Sequence, residues 1–483
     1  MSFAQPPTQT PDPTRWRALF VIAIAQLMVV LDSSIVNIAI PSAKIDLGIT
    51  DANQSWVVTS YTLAFGSLLL LGGRIADFIG RKKSFIIGLL GFAGASALGG
   101  IAQSQEILFA SRALQGAFGA LLTPSALSLI NVTFTIPKER AKAFGVYGAI
   151  AGGGAAIGLI LGGTLTEFAS WRWCLWVNVP IAIIAALLAY PFVHESKAGG
   201  DHSYDLPGTI TATLGLLSLV YGFTQAAKVG WATGSTLCFL GIAAILLFAF
   251  FIIEKNVKNP LLPLRIITER NRGASYLGSM MVGAGLFSMF LFLGLYLQVI
   301  MGYSPLKTGF AFLPFSLGVI ASAGVATQLL PRVGPKPLIV WGLIQGSIGL
   351  LLLSTITPDT SYTTHVLPML VIISTGMALV FISISTTALH GIGGRDSGVA
   401  SAALNTSQQV GGSLGTALLN TIAATSAANY LITHPELGDK AQFFALTHGY
   451  TTAFKTGATF LLIAAVVMAV LLKIGKEALA EKA

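Results

Sequence analysis

Apolar stretches recur along nearly the whole chain, and short hydrophilic gaps rich in glycine, proline and charge separate them. A bilayer core is crossed by about 20 consecutive, mostly apolar residues in one helix, because only a helix satisfies its own backbone groups in hydrocarbon. The pattern predicts spans at Leu19–Ile40, Trp56–Ile75, Ser84–Ile101, Ile107–Ile130, Ala143–Thr166, Cys174–Val193, Leu206–Ala227, Thr236–Ile253, Ala274–Val299, Leu306–Leu330, Pro337–Ile356, Val366–His390, Val399–Ala427 and Ala453–Leu472. The expected fold class is therefore an all-α polytopic membrane protein of about 14 transmembrane helices.

Composition agrees with this reading and removes some alternatives. Hydrophobic residues make up 54% of the 483 and charged residues 10%, against roughly 25% charged in an average soluble domain. The formal charge of +9 does not imply a nucleic-acid partner, since the basic residues are scattered through the gaps rather than gathered on one soluble face. Cys174 and Cys238 form no CxxC pair, metal spacing or disulfide framework, and read as small buried hydrophobes. Pro6, Pro7, Pro11 and Pro13 make the start of the chain an extended, disordered tail. The first apolar run is longer than a signal-peptide core and lacks a small-x-small cleavage site, so it reads as a retained span.

Charge then orients the chain. If the spans alternate, Arg15, Arg17, Arg74, Arg81, Lys82, Lys83, Lys138, Arg140, Lys142, Lys255, Lys258, Arg265, Arg270, Arg272, Arg332, Lys336, Arg395, Lys473, Lys476 and Lys482 all fall on one side. The opposite gaps hold few, such as Lys44, Arg172, Lys228 and Lys307. Positive-inside bias puts that basic side, and both termini, in the cytoplasm. A weak internal repeat aligns Gly80 with Gly334 and Lys82 with Lys336, a sign of duplicated transporter halves. The expected organisation is a cytoplasmic tail over 1–17, a six-helix bundle over 18–197, two inserted helices and a loop over 198–271, a second six-helix bundle over 272–475, and a cytoplasmic tail over 476–483.

Several short patterns carry more specific information. Gly73, Asp77, Gly80, Arg81 and Lys82 resemble the loop 2–3 signature of the major facilitator superfamily. Leu31 to Pro41 around Asp32 and Asn37, Trp56 with Tyr61 and Leu63, Arg112 with Gln115 and Gly116, and Trp171, Trp173, Trp176, Asn178 and Pro180 resemble its fourteen-helix drug/proton antiporter branch. The likeness covers nearly the whole chain and implies two six-helix bundles plus two inserted helices, with a multidrug efflux activity. Such a protein resides in a cell membrane, here expected to be bacterial, and works as a monomer. It takes small molecules, protons and the lipid bilayer as partners and uses a proton gradient in place of a cofactor.

Asp32 is the acid that lies well inside a span, whereas Asp77, Glu139, Asp205, Glu254 and Asp396 fall in loops or at span ends. Intramembrane ionisable residues are costly and functional by default, although a neutral packing acid is the plainer alternative. Arg112 is the matching base. Counted along their helices, both lie on the order of 10 Å below one surface, so proton and arginine would compete for one carboxylate; snorkelling of Arg112 to the interface is the alternative. Gly154, Gly158 and Gly162 recur every fourth residue, a strip that lets helix backbones approach. With Gly163 they resemble the family's antiporter motif, except that Leu159 stands where the family has proline. In the family, the loop 2–3 cluster acts as a conformational latch, which here implies that it lies where the two bundles meet.

Asn37, Tyr61, Gln115, Phe287, Phe290, Gln298, Asn405 and Gln409 are the candidate cavity residues, with Gln408 and Phe381 also in apolar surroundings. No Walker loop, HExxH helix or soluble domain of nucleotide-binding size is present in the sequence, so no enzyme activity and no metal site are expected. An endogenous metabolite, siderophore or lipid as cargo, or a non-transporting membrane sensor, remains open on sequence alone.

Overall fold

The computed structural model describes residues 13–197, 205–258, 260, 262, 264–392, 397–434 and 441–474. The start of the N-terminal tail, the C-terminal tail with Lys476 and Lys482, and the loop residues Arg395 and Asp396 lie outside them.

Every long element is a helix, as backbone in hydrocarbon requires. The first bundle comprises α1 (Arg15–Leu47), α2 (Trp56–Ile79), α3 (Arg81–Gly100), α4 (Gln105–Thr133), α5 (Pro137–Phe168) and the short α6 (Trp173–Trp176), which continues past Val177 into α7 (Asn178–Phe192). Two inserted helices follow, α8 (Leu206–Val229) and α9 (Gly234–Asn256), then a single turn, α10 (Leu264–Ile267). The second bundle comprises α11 (Arg270–Leu295), α12 (Pro305–Ala311) running into α13 (Leu313–Val333), α14 (Pro335–Leu353), α15 (Leu367–Leu389), α16 (Ser397–Thr433) and α17 (Ala441–Leu471). Wide π turns at Tyr296–Ile300 and Tyr362–Val366 extend α11 and precede α15.

Counted as rods among the described residues, with α6 joined to α7, α12 to α13 and the single turn α10 left aside, these helices number fourteen. Among the described residues, eleven are long and apolar enough to cross a membrane, and α2 makes a twelfth when Trp56–Leu69 and Leu71–Ile79 are taken as one bent span. The apolar part of α5 is shorter, Gly154–Phe168. In α16, residues such as Asn405, Gln408, Gln409 and Asn420 dilute the apolar character.

The first bundle closes around Met28, Phe85, Phe92, Leu129 and Ile130, and the second around Phe292, Leu343, Met377, Phe454 and Leu461. The insert lies across the seam between them: Val220 of α8 is buried with Leu63 of α2 and Ala417 of α16, and Thr421 donates to the Phe223 carbonyl. The repeat recognised in the sequence has a structural counterpart. Gly80 alone separates α2 from α3, and Gly334 alone separates α13 from α14, at φ +115° and +87°. A left-handed single-residue link of this kind favours glycine.

Helix alternation gathers Arg15, Arg81, Lys82, Lys83, Arg140, Lys255, Arg270, Arg332 and Lys336 at one end of the molecule, hereafter the basic end. Among the described residues, the hydrogen bonds between the bundles lie away from it. Gln298 Nε2 donates to the Ile38 carbonyl at 3.1 Å, and the Leu306 amide to Glu167 at 3.0 Å. Gln54 donates to Asn420 Oδ1 at 3.1 Å, Asn420 in turn to the carbonyls of Asp51 and Ala52, and Ser413 to the Thr59 carbonyl. Among the described residues the two bundles are thus hydrogen-bonded at the far end, and α2 packs on α16 beside Gly66 and Gln409.

Candidate functional site

An acid survives inside an apolar bundle only with partners, since an unpaired buried charge is strongly unfavourable. Asp32, on α1, has a relative exposure of 0%, and Arg112, on α4, of 1%. Arg112 Nη1 donates to Asp32 Oδ2 at 2.6 Å, while Gln115 Nε2 and Asn178 Nδ2 each donate to Asp32 Oδ1 at 2.8 Å. Arg112 also donates to the Val57 carbonyl and to Gln115 Oε1, and its guanidinium lies 4.5 Å from the centre of the Tyr61 ring. Gln115 Nε2 makes a further bond to Ser96 at 2.6 Å. Five helices of one bundle thus converge on one carboxylate: α1, α2, α3, α4 and α7.

The helices are arranged to permit this. Gly154, Gly158 and Gly162 face α1 directly beside Asp32. A Cβ at Gly158 would lie 2.9 Å from Ser34 Cβ and 3.1 Å from the Leu31 carbonyl oxygen, and one at Gly162 would lie 2.7 Å from Ile35 Cγ1. Gly163 points elsewhere, to within 2.6 Å of Leu306 Cα in the second bundle. Leu159, buried, presents its carbonyl to Gly309 on the same interface. At the far end, Asp46 accepts from Trp171 Nε1 and pairs with Arg172, which also donates to the Ala102 carbonyl. These contacts fix the approach to α6 and α7, and hence Asn178.

Asp77 pairs with Arg81 at 2.9 Å, one helical turn apart. Among the described residues, the other hydrogen bonds of this turn stay within the first bundle. The Glu195 carboxylate accepts from the Lys82 and Lys83 amides, the Arg81 amide donates to the Ser196 carbonyl, and Lys82 Nζ donates to the Tyr190 carbonyl at 2.7 Å. The cause is local: the first amides of α3 lack helical partners and its dipole attracts an anion. Gly80 leaves room for that carboxylate, since a Cβ there would lie 2.6 Å from Glu195. Gly73 faces Pro124 of α4.

The candidate cavity residues divide. Tyr61 and Gln115 are buried in the Asp32 network. Gln298 bonds across the bundle interface to Ile38 at 3.1 Å, and half-buried Asn37 donates to the Ser33 carbonyl on its own helix. Phe290 packs against Phe312 and Phe315, with ring centres 5.4 and 5.0 Å apart. Phe287, Asn405 and Gln409 are half-buried, Phe287 against Gly412 and Gln409 beside Gly66. Ser96, as a partner of the network, and Glu195 were not legible as site residues; Asn178 was visible as a polar residue within an apolar span. Among the described residues no group of three or more potential metal ligands occurs.

A family model described as Major Facilitator Superfamily matches residues 22–416. The chain is 46% identical to a puromycin resistance protein, pur8, of Streptomyces alboniger over 473 residues, 97% of this chain and 94% of that protein. It is 36% identical to the cephamycin export protein CmcT of Amycolatopsis lactamdurans, over 95% of this chain and 93% of that one. In fold it is similar to a bacterial homologue of the human lysosomal transporter Spinster, solved inward-facing and unoccupied, with TM-score 0.68 and 16% identity over 98% of this chain and 99% of that one.

Proposed function

The chain belongs to the Major Facilitator Superfamily, and we propose that it is a proton-coupled antiporter that exports small amphipathic or cationic compounds from the cytosol by alternating access. The observation that carries this reading is the fully buried Asp32, held by Arg112 at 2.6 Å inside the first bundle. A single carboxylate on which proton and arginine compete is what exchange of protons for cargo requires. The names of the relatives support antibiotics as the cargo class. Positive-inside bias supports a cytoplasmic basic end and cytoplasmic termini in a bacterial cell membrane, so bonding at the far end corresponds to the inward-facing state. The rocking units are residues 18–197 and 272–475, with 198–271 between them, in a chain that acts as a monomer. Phe287, Phe290, Asn405 and Gln409 line the cargo path, and Asn37 and Gln298 lie at its far end.

The test is transport in proteoliposomes with an imposed pH gradient, with puromycin and cephamycin as first cargoes beside cationic dyes. Uphill movement of at least one, collapsing when the gradient is dissipated, is expected. Movement unaffected by the gradient would exclude proton coupling, and no movement of any compound would favour a sensor or a different cargo.

Gly73, Asp77, Gly80, Arg81 and Lys82 act as the latch by holding α2 and α3 to the end of α7 as one body. Arg81→Ala is expected to leave insertion intact, to cut transport and to change the inward/outward ratio read by cysteine labelling on the two faces. A wild-type ratio together with a wild-type transport rate would reduce the cluster to a topology signal.

A further inference from the structure

The hydrogen bonds around Asp32 suit only one of its two protonation states. Three donors face the carboxylate, from Arg112, Gln115 and Asn178. A protonated carboxyl carries a hydroxyl that needs an acceptor, and none of these three groups, as placed, offers one. One of them must therefore turn when the proton arrives.

Arg112 has no acceptor atom. Gln115 has one, but its Oε1 already accepts from Arg112 and its Nε2 also donates to Ser96, so turning its amide would break both bonds and set Nε2 against the guanidinium. Asn178 is different. Its Oδ1 is buried and accepts no hydrogen bond among the described residues, and its single side-chain bond is the one from Nδ2 to Asp32 Oδ1 at 2.8 Å. Turning this amide by half a revolution breaks no other bond. Nor is the present orientation arbitrary, because an amide next to an ionised carboxylate must present its NH2 group.

We propose that Asn178 is the positioning residue that lets Asp32 carry a proton: when Asp32 Oδ1 is protonated, the Asn178 amide turns over and its Oδ1 accepts the new hydroxyl. An O–H bond forms at Asp32 Oδ1 as an O–H bond of a hydronium ion from the aqueous phase breaks and leaves water, and no bond of the protein breaks. The network gains one positive charge. Gln115 Nε2 continues to donate to the remaining lone pair of Oδ1, and Arg112 stays in place through the Val57 carbonyl, Gln115 Oε1 and the face of Tyr61. The titratable or charged groups that meet Asp32 from the helices around it are Arg112 on α4, Tyr61 on α2 and Cys174 on α6, while α5 presents its glycines. Asn178 is the first residue of α7, beyond the break at Val177, and the Trp171–Arg172–Asp46 clip holds this segment against α1.

This inference rests on the proton-coupling reading, and infrared difference spectroscopy of the reconstituted full chain during acidification separates the two. In the wild-type protein a carboxylic acid band that Asp32→Asn removes is expected; its absence would defeat the coupling reading itself. With isotope-labelled asparagine, the Asn178 carbonyl band, identified by its loss in Asn178→Ser, should move to lower frequency as the Asp32 acid band grows. In Asn178→Leu the Asp32 acid band should move to higher frequency, because the hydroxyl has lost its acceptor. An Asp32 acid band with an unmoved Asn178 carbonyl band would overturn the amide turn and leave the coupling reading standing.

Discussion

In proteoliposomes with an imposed pH gradient, the Asp32→Asn protein is expected to accumulate cargo no better than protein-free vesicles. The amide keeps the shape of the side chain and part of its hydrogen bonding, but it cannot take up and release a proton. No second carboxylate lies in the network to replace it: the other members are Arg112, Gln115, Ser96, Tyr61 and Asn178. The substitution also leaves Arg112 without its counter-charge, and removing one partner of a buried ion pair costs about 3–5 kcal/mol. The Val57 carbonyl, Gln115 Oε1 and the Tyr61 ring remain to hold the guanidinium, so the protein should fold with a lowered melting temperature, which size-exclusion and thermal melts will register. Cargo binding at zero gradient should persist, because much of a cavity's affinity comes from apolar contact, and a neutral cargo should lose less affinity than a cationic one. Wild-type uphill transport by this variant would remove Asp32 from the mechanism.

Gly158→Leu is the second large expected loss. The first added carbon alone would lie 2.9 Å from Ser34 Cβ, so the full side chain must push α1 off α5 and carry Asp32 away from Arg112. Overpacking of this kind costs typically about 1–3 kcal/mol, and the 2.6 Å ion pair suffers directly from the displacement. Leu159→Pro should impair exchange less. It removes one backbone hydrogen bond on a neighbouring face, and membrane helices tolerate proline because surrounding groups re-satisfy the freed carbonyl. Transport rates of the two variants, each normalised to folded protein, make the comparison. Full activity in Gly158→Leu would make the strip ordinary glycine.

Asp32 and Arg112 were legible in the sequence because a charge inside an apolar run has few explanations. The all-helical, multi-span character was legible for a similar reason: each apolar run ends in a hydrophilic gap. Ser96 was hidden because a lone serine in a membrane helix has many ordinary roles. Asn178 stood in a recognised motif, yet only the path of α6 and α7 shows that it reaches Asp32. Tyr61 and Gln115 could be placed in a span but not on a face of it, since the direction of a side chain depends on which helices surround it. Glu195 carries no motif that singles it out in the sequence. Its role follows from the unpaired amides at the start of α3, which exist only once α2 and α3 meet at Gly80. The breaks at Val177 and Phe312, and the two π turns, leave no mark in the apolar pattern.

The bonds that join the bundles at the far end bear on how readily the protein captures its cargo. For that end to open, the contacts of Gln298, Glu167, Gln54, Asn420 and Ser413 must be given up, and each hydrogen bond is worth roughly 0.5–1.5 kcal/mol net. A combined bias of about 2.8 kcal/mol, two tenfold steps in an equilibrium constant, leaves about one molecule in a hundred open there unless new bonds form at the basic end. Apparent affinity is divided by the fraction of molecules in the competent state. In the proposed orientation, with the basic end in the cytosol, an empty protein would meet intracellular compounds with nearly its full intrinsic affinity, whereas the same compounds outside would face a roughly hundredfold handicap from this bias. The acceptors in four of these bonds are the backbone carbonyls of Ile38, Asp51, Ala52 and Thr59, which no substitution removes. The donors, however, are side chains, so a change at Gln298, Asn420 or Ser413 that removes its donor removes the bond, and single substitutions at the far end can set how strongly the protein prefers one direction.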